Sequence, residues 1–235
     1  MGGNGNRGWV AADFDAARRE MVERQIRSRG IRSPRVLDAM LAVPRHLFVP
    51  GECVMEAYSD TPLPIGEGQT ISQPYMVAAM ANALFLGGNE RVLEVGAGSG
   101  YQAAVLSLLA QEVIGVEAQP ALFMQTRERM ARLGYANVRI EEGDGSLGWP
   151  PGEPRETKYH AILVSAAAPA VPPPLLEQLA EGGRLVMPIG TLERQELVRV
   201  VKRQGSTAQE SLFACRFVPL TGQYGWQNVE GTTTR

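Results

Sequence analysis

The chain has 235 residues, of which 44% are apolar and 20% charged, close to the globular average and enough to bury one good-sized core. A formal net charge of -2 and the lack of any Lys/Arg block give no electrostatic reason to bind along a nucleic-acid backbone. No apolar run approaches the roughly 20 residues of a spanning helix, and the start MGGNGNRGWV lacks the apolar stretch of a signal peptide, so a soluble cytoplasmic protein with no membrane partner is expected.

Residues 1–12, rich in Gly and Asn, read as an arm. From Ala12 to Arg29 the positions Phe14, Ala17, Met21, Val22, Gln25 and Ile26 recur at helical spacing, and Gly30 closes that amphipathic helix. Ser33 as N-cap and Pro34 at the first helical position open a second helix through Met40 and Leu41, which Pro44 ends. Pro44 to Pro74 is dense in Pro and Gly and reads as a long loop, the kind that usually has a job. Met76, Val77, Met80 and Leu84 then predict a helix from Pro74 to about Phe85.

A different rhythm follows. VLEV (92–95), VIGVE (113–117), VRIEE (138–142) and AILVS (161–165) are short β-branched runs separated by helical stretches at Tyr101–Leu109 and Leu122–Leu133, the pattern of βαβ units and a parallel sheet. RLVMPI (184–189) continues it, and ELVRVVK and LFACRFV look like an antiparallel pair at its end. The predicted fold class is therefore α/β: a mostly parallel, doubly wound sheet with an antiparallel pair at its end and an N-terminal helical extension. The expected division is one domain over 13–226, with helices and a substrate loop in 13–88, a sheet core in 89–226 and a tail at 227–235.

The run VLEVGAGSGYQAA carries the chemistry. A buried strand runs into Gly96, Gly98 and Gly100 and then a helix, which lets backbone approach a ligand closely. A dinucleotide fingerprint wants a third glycine at Tyr101; the GxGxG found here suits the amino-acid end and ribose of S-adenosylmethionine better. Glu117 ends the second strand about 20 residues beyond the first glycine, where an acid can bond ribose hydroxyls, and Asp144 follows the third strand, placed for the adenine edge. Either alone is as readily a turn residue. Together with the loop they mark three successive strand ends on the edge where open α/β sheets bind ligands. Cys53 and Cys215 form no CxxC, so no metal site is expected.

LPIGEGQTISQPYMVA (63–78), with VPRHLFVP, VLEVGAGSGYQAA, EGDGSLGWP, AILVSAAAPAVPPPLLEQLAEGGRLVMPIG and RFVPLTG, closely resembles the protein-L-isoaspartate O-methyltransferase family from about Met21 to Gly222. GQTISQP is the most specific part. The resemblance implies a Rossmann-like class I methyltransferase that takes a methyl group from S-adenosylmethionine and leaves S-adenosylhomocysteine. It implies as acceptor the isoaspartyl and D-aspartyl residues of damaged proteins, repaired through a methyl ester and a succinimide; a monomer is the separate expectation for the assembly. By position it gives Ser72 as the active-site serine. Cofactor contacts fall on Gln73, Tyr75, Gly96, Gly98, Glu117 with Ala118 beside it, Asp144, Gly145 and Thr221. His160 and Ser165 depart from the family's usual Asp and Thr around the fourth strand.

An isoaspartyl carboxylate is ionised at neutral pH, since its pKa is about 4, so the chemistry needs no general base. His46 and His160 are then read as structural. For Ser72 the residues alone leave two readings open, orienting the acceptor or capping the helix near Pro74, and the resemblance favours the first. A class I methyltransferase of small-molecule carboxylates is the competing function; a base methyltransferase is disfavoured by SAAAP after the fourth strand, and a nicotinamide oxidoreductase by the GxGxG spacing.

Overall fold

The computed structural model describes residues 13–152 and 158–226. The expected arm (1–12) and tail (227–235) lie outside the described residues. The first helix begins as α1 (Phe14–Glu20), capped by Asp13, whose carboxylate accepts from the Ala16 N–H at 2.8 Å. It is not uniform: it widens to π-winding over Met21–Ile26, tightens to a 3₁₀ turn over Arg27–Arg29 and stops at Gly30, φ 97°. Met21, Val22 and Ile26 enter the core from the widened part, and Gln25 reaches back to donate to the Tyr58 carbonyl at 2.8 Å. In α2 (Pro34–Ala42) Ser33 holds the N-cap position, but its side chain makes no capping bond.

The loop expected over Pro44–Pro74 contains structure. After two 3₁₀ turns comes a hairpin, β1 (Leu63–Gly66) with β2 (Gln69–Ile71), antiparallel around Gly66-Glu67-Gly68, where φ is 94°, 51° and 67°. Strands of four and three residues are too short to declare a period in sequence. α3 (Pro74–Ala83) follows as predicted.

The main sheet is built from β3 (Arg91–Val95), β4 (Glu112–Glu117), β5 (Val138–Glu142), β6 (Tyr159–Val164), β7 (Leu179–Gly190), β8 (Gln195–Arg203) and β9 (Ser206–Cys215), with α4 (Tyr101–Ser107), α5 (Pro120–Leu133) and α6 (Pro173–Gln178) between strands. Its order is β5-β4-β3-β6-β7-β8-β9, parallel through β7, with β8 antiparallel to both of its neighbours. Both faces are covered, which is why the sequence shows unbroken apolar runs rather than alternation. Val92, Val113, Leu163 and Val186 face a core shared with Met40, Phe48 and Met80 of the N-terminal segment; Leu93, Ile114, Ile162 and Met187 face the other.

Two strands differ from their sequence limits. β7 starts five residues earlier than RLVMPI, through Leu179 paired with Tyr159 and an irregularity in the register. β9 begins in the exposed polar run STAQES and ends at Cys215, because an edge strand facing water carries no hydrophobic signal and the Gln195 side chain takes over the Phe217 backbone beyond it. The chain runs out from β3 through β4 to β5, then returns to β6 on the other side of β3. The sheet's switch point thus falls between β3 and β6, where such folds form their ligand crevice.

Candidate active site

At the C-terminal ends of β3 and β6 the glycine loop leaves the sheet with φ of 83°, 52° and 82° at Gly96, Gly98 and Gly100, a left-handed course that L side chains rarely follow. The loop is tied on all sides. Gly96 N–H donates to the Val116 carbonyl (2.9 Å), Gly98 N–H to Glu117 Oε2 (2.8 Å), and Thr126 Oγ1 of α5 to the Gly98 carbonyl (2.5 Å). Gly100 lies so close to α5 that a Cβ there would stand 2.8 Å from Thr126 Cγ2. Tyr101, at the position a dinucleotide motif gives to glycine, turns away into the core against Phe48, ring centroids 5.4 Å apart.

A cleft open to solvent lies over this loop. Gly96, Gly98, Glu117, Ala118, Gly145, Ser72 and Thr221 line it. Glu117 is buried; its Oε1 accepts from Gln119 N–H (2.9 Å) and its Oε2 from Gly98, which leaves one lone pair on each oxygen for a further donor. Asp144 does not line it. Its carboxylate accepts from the Ser146 N–H (2.9 Å) and from the Gln223 N–H (2.7 Å), so it anchors the 221–225 turn over the cleft. A Cβ on Gly222, φ 128°, would clash with the same carboxylate, 2.1 Å from Oδ1.

A second, wider groove adjoins the first. Gln73 and Tyr75 line this groove and not the glycine-loop cleft. The two share Gln69, Thr70, Ser72 and Ser165 with Val218, Pro219 and Thr221, so Ser72 stands on the wall between them. The hairpin missed in sequence delivers it there, with Ile65 packed toward Gly98 and β2 running directly into Ser72. The N-cap of α3 is Gln73, so the capping reading of Ser72 fails, and its hydroxyl has no hydrogen-bond partner among the described residues. Neither histidine lines a cleft: His46 pairs with the Tyr58 hydroxyl (2.8 Å), and His160 accepts from Arg91 N–H (3.0 Å) at the far end of β6. Ser165, the other departure from the family pattern, is at the site itself.

Sequence reading passed over two cleft residues. Glu94, inside β3, is fully buried, and neither carboxyl oxygen has a hydrogen-bond partner among the described residues. It faces Gly115 across the strand pair, whose missing side chain leaves it room. Burial, and then the neighbouring Glu117 charge, raise its pKa well above the carboxylate range. Gln102 of α4, also buried, has an Nε2 with no hydrogen-bond partner among the described residues. Both line the cleft. The signal was an acid within an otherwise apolar strand, VLEV. Unsatisfied buried groups of this kind call for a ligand to complete them, and an unpaired acid beside an unpaired donor matches the ammonium and carboxylate of an amino-acid ligand. The chemistry of the cleft therefore fits S-adenosylmethionine.

A family model described as Protein-L-isoaspartate(D-aspartate) O-methyltransferase matches residues 16–225. A Geobacter metallireducens protein named protein-L-isoaspartate O-methyltransferase is 53% identical over 93% of this chain and all of its own length. One of the same name from Methanoculleus marisnigri is 53% identical over 89% of this chain and 94% of its own. Among solved structures, a protein-L-isoaspartate O-methyltransferase superimposes with a TM-score of 0.79 at 29% identity, covering 88% of this chain and 67% of that one. A Plasmodium falciparum structure named for the same activity, in complex with S-adenosyl-L-homocysteine, gives a TM-score of 0.74 at 30% identity, covering 87% and 98%.

Proposed function

Because the chain belongs to the protein-L-isoaspartate(D-aspartate) O-methyltransferase family, we propose that its inner cleft holds the methyl donor, its outer groove the acceptor polypeptide, and that Ser72 works at their boundary. The protein is an S-adenosylmethionine-dependent enzyme that methylates the free carboxylate of isoaspartyl residues and so starts their repair through a succinimide. The donor supplies an electrophilic methyl group on a sulfonium sulfur. The chain's part is to hold, orient and keep dry. Glu94 and Gln102 take the two charges of the donor's amino-acid end, Glu117 the ribose hydroxyls, and the 221–225 turn, pinned by Asp144, covers the site. Gly96, Gly98, Ala118, Gly145 and Thr221 shape the donor's walls, while Gln73 and Tyr75, assigned to the cofactor from the sequence, are better placed to meet the acceptor. The ionised acceptor needs only to be brought in line at about 3–3.5 Å, and Ser72 donates the hydrogen bond that fixes it.

The observation that carries this assignment is the meeting of the two clefts at Ser72. Its test is a peptide pair differing only in Asp against isoAsp. The isoAsp peptide is expected to accept labelled methyl groups and the Asp peptide to stay unlabelled, because the extra backbone methylene displaces the carboxylate; equal rates would mean a general carboxyl methyltransferase. Glu117→Ala is expected to weaken donor binding by about 1.5–3 kcal/mol for each hydroxyl bond lost. Calorimetry on the folded variant checks it, and unchanged affinity removes Glu117 from the ribose.

We also take residues 13–226 as one domain, since N-terminal helices and sheet share a core. We take the working form to be a monomer, which size exclusion tests. Among the described residues no helix is long and apolar enough to cross a membrane, and two free cysteines fit a reducing cytoplasm.

A further inference from the structure

We infer that the outer groove selects acceptors with acidic residues beside the isoaspartyl, and that Arg216 is the side chain that reads them; this rests on the groove being the acceptor site. The protein as a whole carries a net charge of -2, yet the groove is lined by Arg29 and Arg216 and by no Asp or Glu among the described residues. The two arginines differ. Arg29 stacks on Tyr75, 3.4 Å from its centroid, and pairs with Asp60 at 2.7 Å, so its charge is already answered. Arg216 is exposed and has no hydrogen bond or ion pair among the described residues.

Its backbone, by contrast, is held firmly. Gln195 donates to the Phe217 carbonyl (3.3 Å) and accepts from the Phe217 N–H (2.7 Å), and Ala167 N–H donates to the Val218 carbonyl (2.8 Å). An unpaired cation is thus presented from a held wall of the groove that Phe213, Phe217 and Ser72 also line. An extended acceptor chain lying there meets it with the residues that flank its damaged one. Acidic neighbours gain a salt bridge; basic neighbours meet like charge.

Three isoAsp peptides with Glu, Gln or Lys at the flanking positions test this on the full-length enzyme. The expected order of kcat/KM is Glu above Gln above Lys, by about 1.5- to 5-fold per step as for exposed ion pairs. The difference should lie in KM and shrink as ionic strength rises. R216Q is expected to flatten the order and R216E to reverse it, with donor affinity by calorimetry unchanged as the sign of an intact fold. R29Q, losing a charge that Asp60 answers, should keep the order. Equal kcat/KM for the three peptides, or an unaltered order in R216E, overturns the inference. Failure to methylate all three strikes at the acceptor assignment itself, which separates the two.

Discussion

Glu94→Gln is expected to stabilise the ligand-free protein at neutral pH while weakening donor binding by about two to three and a half orders of magnitude. The carboxyl is fully buried and has no hydrogen-bond partner among the described residues, and the Glu117 carboxylate acts on it as a like charge. Its pKa in the folded state is raised well above the unfolded value, so the native state binds this proton more tightly than the unfolded chain does. Stability is then greatest below the unfolded pKa, about 4.3, and declines as pH rises through the folded-state value. Glutamine has no proton to lose. The Tm difference between variant and native enzyme should be near zero at about pH 4 and widen in the variant's favour above it. Binding moves the other way: removing one member of a buried charge pair costs about 3–5 kcal/mol, which is the affinity loss named above. Thermal melts across pH, with calorimetric titration of S-adenosylhomocysteine, read both at once. A destabilised variant of undiminished affinity would make Glu94 a structural acid.

Ser72→Ala should lower the methylation rate on the order of 10- to 1000-fold, the worth of one preorganised donor at a reacting oxygen, with little change in Tm or donor affinity. The residue caps no helix, and its hydroxyl bonds to no other described residue, so stability does not depend on it. A nucleophile or base role is disfavoured on the same ground, because no histidine, lysine or carboxylate among the described residues is hydrogen-bonded to it. Melting temperature and single-turnover methylation on one sample decide the matter. Full activity in the variant refutes the assignment.

What the sequence determined is what local burial writes into it. The runs at 92–95, 113–117, 138–142 and 161–165 became β3 to β6 because strands covered on both faces must be apolar throughout. The glycine loop was legible because its three left-handed φ values admit little else. The family motif at GQTISQP named Ser72. Only the tertiary structure decided what depends on segments far apart in the chain. The β1–β2 hairpin is too short to show a period, yet it carries Ser72 to the wall between two clefts. Asp144 reads from its place after a strand as a ligand contact, and the fold gives its carboxylate the further task of holding the turn at 221–225. Glu94 reads as one polar residue in an apolar strand, and its weight comes from having no hydrogen-bond partner among the described residues. The groove joins Arg29 and Tyr75 to Phe213 and Arg216, residues that no local pattern connects. Periodicity records whether a side chain is buried; which groups meet it there, and whether its charge is answered, is settled by the packing of distant elements.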